Sequence, residues 1–113
     1  MKSRDYIVVL VTASSAQEAD RIASVLLENK VAACVNITGR IQSLFWWEGK
    51  IDHAQEVLLV IKTKKVLLEE VIRLVRENHS YDVPEVIALP IVGGNPAYLE
   101  WIDTVTGRLV IDD

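Results

Sequence analysis

Residues 41–62 read IQSLFWWEGKIDHAQEVLLVIK, and this stretch decides the fold. Leu44, Phe45, Trp46 and Trp47 stand in succession, Glu48-Gly49 follows, and Val57–Ile61 resumes an apolar run. Two β-prone runs around a short glycine-containing turn predict a hairpin. Successive strand residues point to opposite faces, so Phe45 and Trp47 share one side while Leu44 and Trp46 share the other. The arm is therefore apolar on both sides near its tip and needs a cover other than water.

Upstream, Val31–Ile37 already has β character. An unbroken strand from Ala32 to Trp47 would span about 50 Å at ~3.3 Å per residue. A compact chain of this size has a radius of gyration of only about 13 Å. The strand must bend, and Thr38-Gly39 is the place for a bulge, with the hairpin projecting beyond it. Before it, Ile7–Val11 is a continuous apolar run that predicts a central strand covered on both faces. Ser15 and Glu18 form a capping box opening a helix. That helix turns Ala19, Ile22, Ala23 and Leu26 inward and Glu18, Arg21 and Glu28 outward. Asn29-Lys30 stops it, with Asn suited to the left-handed conformation.

Downstream, the spacing predicts a helix over Lys64–Asn78 with Leu67, Leu68, Val71, Ile72 and Val75 inward. His79–Glu85 is a polar connection closed by Pro84, and Val86–Ile91 is a fourth strand. Pro84 and Pro90 cannot donate ladder hydrogen bonds, which favours an edge position for that strand or strand ends at the prolines. Asn95-Pro96 starts a last helix that runs to about Thr106, with Gly107 as its stop. Leu109–Ile111 is either a brief strand or loose chain.

The order β-α-β-β-α-β-α predicts an α+β fold, a ferredoxin-like sandwich with one antiparallel sheet, as one domain over residues 1–113. Its two main helices cover one sheet face, yet Ile7–Val11 and Val57–Ile61 are apolar at every position. The last helix covers part of the second face, and a partner subunit is the natural source of the rest. Two tryptophans bury ~150–250 Å² each, enough to leave a patch rarely exposed on monomers. Oligomerisation follows from area.

Of 113 residues, half are hydrophobic and the net charge is −4, so a nucleic-acid surface is not expected. No apolar run is long enough for a membrane span. The single cysteine, Cys34, excludes an internal disulfide and suits a reducing compartment, which points to the cytoplasm.

Chemistry-bearing residues are few. Cys34 reads as a small buried hydrophobe or as a soft metal ligand. His79 reads as a helix-terminal histidine or as a ligand for copper or zinc; His53 reads as solvated. Glu56 enters an otherwise apolar strand and calls for a partner. Glu56, Lys62, Tyr81 and Glu85 either line one cleft or form structural ion pairs. No nucleophile with a neighbouring base and no phosphate-binding loop is present, and no organic cofactor is indicated.

Taken together, Ala32–Ile37, Ser43–Ile51, Glu56, Lys62-Thr63, His79–Glu85 and Tyr98–Trp101 resemble the CutA family of divalent-cation tolerance proteins, also called CutA1. The likeness covers Tyr6 to about Thr106. It implies a ferredoxin-like protomer in a homotrimer similar to the PII signalling proteins, with the hairpin as the trimer-forming arm. Phe45, Trp46, Trp47 and Trp101 would lie at the interface. It also implies binding of Cu²⁺ or another divalent cation, with His79 and Cys34 as matching candidates, and no catalytic activity. A PII-like role, binding a small molecule or protein in intersubunit clefts, is the alternative. Departures are visible: Val11 stands where copper-associated members carry cysteine, Asn78 precedes His79 where two histidines can be adjacent, and Phe45 and Ser80 replace a tyrosine and a proline.

Overall fold

The computed structural model describes residues 5–107; the expected element at Leu109–Ile111 lies outside them. The elements are β1 (Tyr6–Ala13), α1 (Ala16–Glu28), β2 (Cys34–Trp47), β3 (Lys50–Lys64), α2 (Leu68–Asn78), β4 (Val86–Pro90) and α3 (Pro96–Val105). A single turn of 3-10 helix over Lys65–Leu67 precedes α2. All strand pairs are antiparallel in the order β2-β3-β1-β4, which is the ferredoxin-like arrangement and puts the proline-flanked β4 at an edge.

Alternation along β1 and β3 separates the two sheet faces. Ile7, Val9, Val11 and Ala13 are buried together with Val57, Leu59 and Ile61 in a core shared with Ala19, Ile22, Leu26, Val71, Leu74 and Val75 of α1 and α2. Leu74 takes the inward place expected of Ile72, which is only half-buried. The opposite face is less complete. There α3 approaches, with Asp103 paired to Lys64 at 2.9 Å and Ile102 fully buried. Ile87 and Leu89, beside Leu10 and Val8 in register, remain 50% and 48% exposed. Within one chain the helical side of β1 is closed and the other side only partly covered, in line with the expectation that the last helix supplies part of that cover.

Local chemistry sets the ends of α1. Ser15 accepts the Glu18 N–H at 3.1 Å. The left-handed residue at its end is Lys30 (φ 58°), not Asn29. Lys30 N–H reaches the Leu27 carbonyl and Val31 N–H the Leu26 carbonyl, the paired bonds of a Schellman ending. Asn29 instead turns its amide back onto the Val25 carbonyl at 2.8 Å. The second helix begins later than its periodicity suggests, because Lys65 N–H still bonds the Asp5 carbonyl at 2.9 Å and prolongs the strand pairing.

The arm follows the length arithmetic. Register between β2 and β3 shifts between Ile37 and Arg40, so Thr38 and Gly39 together oppose Leu58. Thr38 Oγ1 accepts the Leu58 N–H at 3.0 Å, satisfying the donor that the bulge orphans. At the tip, Glu48 and Gly49 have φ of 51° and 80°, the paired positive values that match a two-residue turn to strand twist. The molecule measures 47 × 29 × 24 Å. Trp46 is 72% exposed and Ile51 64%.

Candidate functional site

Glu56 sits where the arm leaves the body. It is only 7% exposed, and two hydroxyls aim at it: Ser43 Oγ donates to Oε1 at 2.6 Å and Tyr81 Oη to Oε2 at 2.8 Å. Burial first, and then the Glu56 carboxylate, push the Tyr81 hydroxyl up to about 12, so it remains a donor at neutral pH. Ser43 belongs to the first arm strand, Glu56 to the second and Tyr81 to the segment after α2; the site is thus made by the fold.

A second cluster holds that segment in place. His79 is at the end of α2 with its imidazole fully buried. Its Nδ1 lies 3.1 Å from the Tyr81 N–H and its Nε2 2.7 Å from the Thr12 carbonyl. The amide must donate, so Nδ1 accepts and Nε2 carries the proton. The imidazole lies tilted on the Tyr81 ring, with centroids 4.7 Å apart. Beside it Glu18, expected on the outer face of α1, is 4% exposed. Its carboxylate accepts from Ser14 N–H and Oγ, both at 2.8 Å, and from Ser80 N–H at 2.6 Å. Burial raises its pKa, but the bonds from Ser14 and Ser80 outweigh that and bring it to about 2. Glu18 turns inward because a carboxylate in the first turn that satisfies three donors is held more strongly than its helical position suggests.

Of the four expected cleft residues, Glu56, Tyr81 and Glu85 line one cavity of about 880 Å³. Thr12, Ser43, Leu44, Phe45, Trp47, Asp52, Asp82 and Val83 complete its wall. Lys62 is elsewhere: its ammonium donates to Asn36 Oδ1 and lies 3.9 Å from Cys34 Sγ. Six residues along β3 separate Lys62 from Glu56, about 20 Å at the strand rise. Sequence reasoning missed Ser43 and Asp82. The arm register could have found Ser43, because Ser43 and Glu56 flank a neighbouring pair.

The two candidate metal ligands occupy separate neighbourhoods. His79 neighbours Thr12, which pairs with Leu58, whereas Cys34 pairs with Lys62 further along β3. Both His79 nitrogens are engaged, and Cys34 is half-buried beside Asn36 and Lys62. Among the described residues, no three His, Cys, Asp or Glu side chains converge in a metal-holding group. Within one chain, therefore, these residues do not form a ready ligand set. Trp101, on α3, is partly exposed and packs on Tyr98 with centroids 5.5 Å apart.

This fold is shared with known proteins. The family of the CutA1 divalent ion tolerance protein matches residues 7–105. This chain belongs to the CutA1 family. The crystal structure of CutA1 from Oryza sativa superposes with a TM-score of 0.91 at 48% identity, covering 94% of this chain and 97% of that one. The periplasmic divalent cation tolerance protein CutA from Archaeoglobus fulgidus gives a TM-score of 0.86 at 46% identity, over 88% of this chain and 97% of that one. The chloroplastic protein CutA 1 of rice is 51% identical over 100 residues, 88% of this chain and 56% of that protein. This chain spans about half the length of the rice, Arabidopsis and mouse relatives.

Proposed function

We propose that this CutA1 chain is a homotrimer acting in divalent-cation tolerance, binding Cu²⁺ or another divalent ion as cargo rather than as a resident cofactor. The observation that carries this reading is family membership over residues 7–105 under the description of a divalent ion tolerance protein. The exposed arm tip and the uncovered sheet side at Ile87 and Leu89 supply the assembly surfaces. Phe45, Trp46, Trp47 and Trp101 are the aromatic contacts. His79 and Cys34 are the ligands to test, with others contributed by neighbouring copies. Metal uptake at His79 requires one ring nitrogen to leave Tyr81 N–H or the Thr12 carbonyl. A non-catalytic role and a cytoplasmic setting belong to the same proposal; the single cysteine supports the latter.

Light scattering on a size-exclusion column should return three times the chain mass. Calorimetric titration with Cu²⁺ should show saturable binding, weakened at least tenfold in His79→Ala. Unchanged affinity in both His79→Ala and Cys34→Ser removes these residues from the metal site, and a stable monomer overturns the assembly.

A second reading has its own support. The cavity at the base of the arm falls within the size range of small-molecule sites and has an aromatic wall. It suits a PII-like protein that binds a small molecule beside the arm, with Glu56, Tyr81 and Glu85 as contacts.

A further inference from the structure

We infer that divalent-cation uptake at His79 is coupled to the arm through Tyr81 and Glu56, so that an occupied His79 loosens the arm at its root. This rests on the first reading above, that His79 is a cation ligand. The coupling begins with a choice made at one nitrogen. Nε2 carries its proton to the Thr12 carbonyl at 2.7 Å, which leaves Nδ1 as the nitrogen with a lone pair. That lone pair already accepts the Tyr81 N–H at 3.1 Å. A cation taken up at Nδ1 displaces the Tyr81 amide, so the two arrangements exclude each other. The imidazole is also fully buried, and the Tyr81 ring that lies tilted on it, with centroids 4.7 Å apart, is part of its cover. Uptake requires that cover to shift.

Tyr81 carries the shift into the arm. Its hydroxyl donates to Glu56 Oε2 at 2.8 Å, and Glu56 Oε1 accepts from Ser43 Oγ at 2.6 Å. Glu56 belongs to β3 and Ser43 to β2, so one carboxylate ties both arm strands to the segment after α2. The tie sits on the arm side of the bulge between Ile37 and Arg40. Glu56 is buried, and a buried carboxylate that loses the Tyr81 hydroxyl loses a charge-assisted bond. On the body side the segment has its own anchor, because Ser80 N–H donates to Glu18 at 2.6 Å and Ser14 holds Glu18 in turn. The displacement is thereby directed toward the arm. Linkage makes the effect reciprocal: a cation that opens the tie is itself bound more tightly when the tie is already open.

The test uses the full chain in its solution oligomer and Zn²⁺ as the probe, an ion that suits imidazole and has no redox chemistry. Calorimetry reads its affinity, and amide hydrogen exchange over residues 41–56 reads the arm root. Tyr81→Phe removes the hydroxyl that reaches Glu56 and keeps both the ring and the amide. It should bind Zn²⁺ about fivefold more tightly than the native chain. In the native chain, saturating Zn²⁺ should quicken exchange over residues 41–56 by about the same factor, whereas in Tyr81→Phe it should change nothing there. His79→Gln, which keeps an N–H for the Thr12 carbonyl, should abolish both the binding and the arm response. Unchanged Zn²⁺ affinity in Tyr81→Phe, or arm exchange indifferent to Zn²⁺, overturns the coupling; if His79→Gln still abolishes binding, His79 remains a cation ligand. Zn²⁺ binding that is undiminished in His79→Gln, or absent from the native chain, overturns that reading and the coupling together.

Discussion

The body and the arm use similar residues to opposite ends. On β3, Leu59 and Ile61 are completely buried, whereas Ile51 on the same strand is mostly exposed. Both regions are antiparallel strand pairs with apolar residues, although the outgoing arm strand also carries Lys50, Asp52, His53 and Gln55. They differ in what lies over them: the body has α1 and α2 on one face and part of α3 on the other, while the arm tip is exposed among the described residues. The body is a self-sufficient core; the arm is a surface for another molecule. Glu18, His79, Tyr81 and Glu56 form the hydrogen-bonded junction between the two.

The comparison breaks most readily at its extremes. Ile61→Ala, in the closed core, should cost about 2–5 kcal/mol in urea unfolding while leaving the assembly mass unchanged. Trp46→Ser, at the arm tip, should do the reverse and shift light scattering toward the monomer. Similar outcomes for the two variants would mean that arm and body are one cooperative core.

The junction comes next. Glu18 has its folded pKa lowered from 4.5 to about 2, so its stabilisation is complete above pH ~4.5 and disappears as the pH falls toward 2; linkage puts its size at about 3 kcal/mol. Glu18→Gln should lose most of that at pH 7 and flatten the acid limb of a stability profile. An unchanged limb would place the acid sensitivity elsewhere.

The smallest effect belongs to the bend. Thr38→Val keeps the shape but removes the acceptor for Leu58 N–H, and should cost about 1 kcal/mol in thermal unfolding. Amide exchange at Leu58 should quicken in the variant. If its protection is unaltered, solvent or another group already satisfies the bulge.

Much of this was legible before folding. Ser15 and Asn95 each cap the helix they precede, and prolines favoured an edge position for β4. The bulge followed from strand rise against chain size. Other features needed contacts distant in the chain. Glu18 is held by Ser80, 62 positions away, a bond no helical wheel contains. Ser43 entered the site only through the arm register. Strand spacing alone separates Lys62 from Glu56 along β3.

The sequence by itself determined the order of elements, the helix caps, the arm and the apolar stripes, because these depend on local propensity and period. Tertiary structure alone decided that Glu56 is capped by hydroxyls from two other segments, that Glu18 turns inward and that both His79 nitrogens are occupied. Hydrogen bonds between distant segments depend on where the sheet and helices bring them, and local spacing carries no record of that.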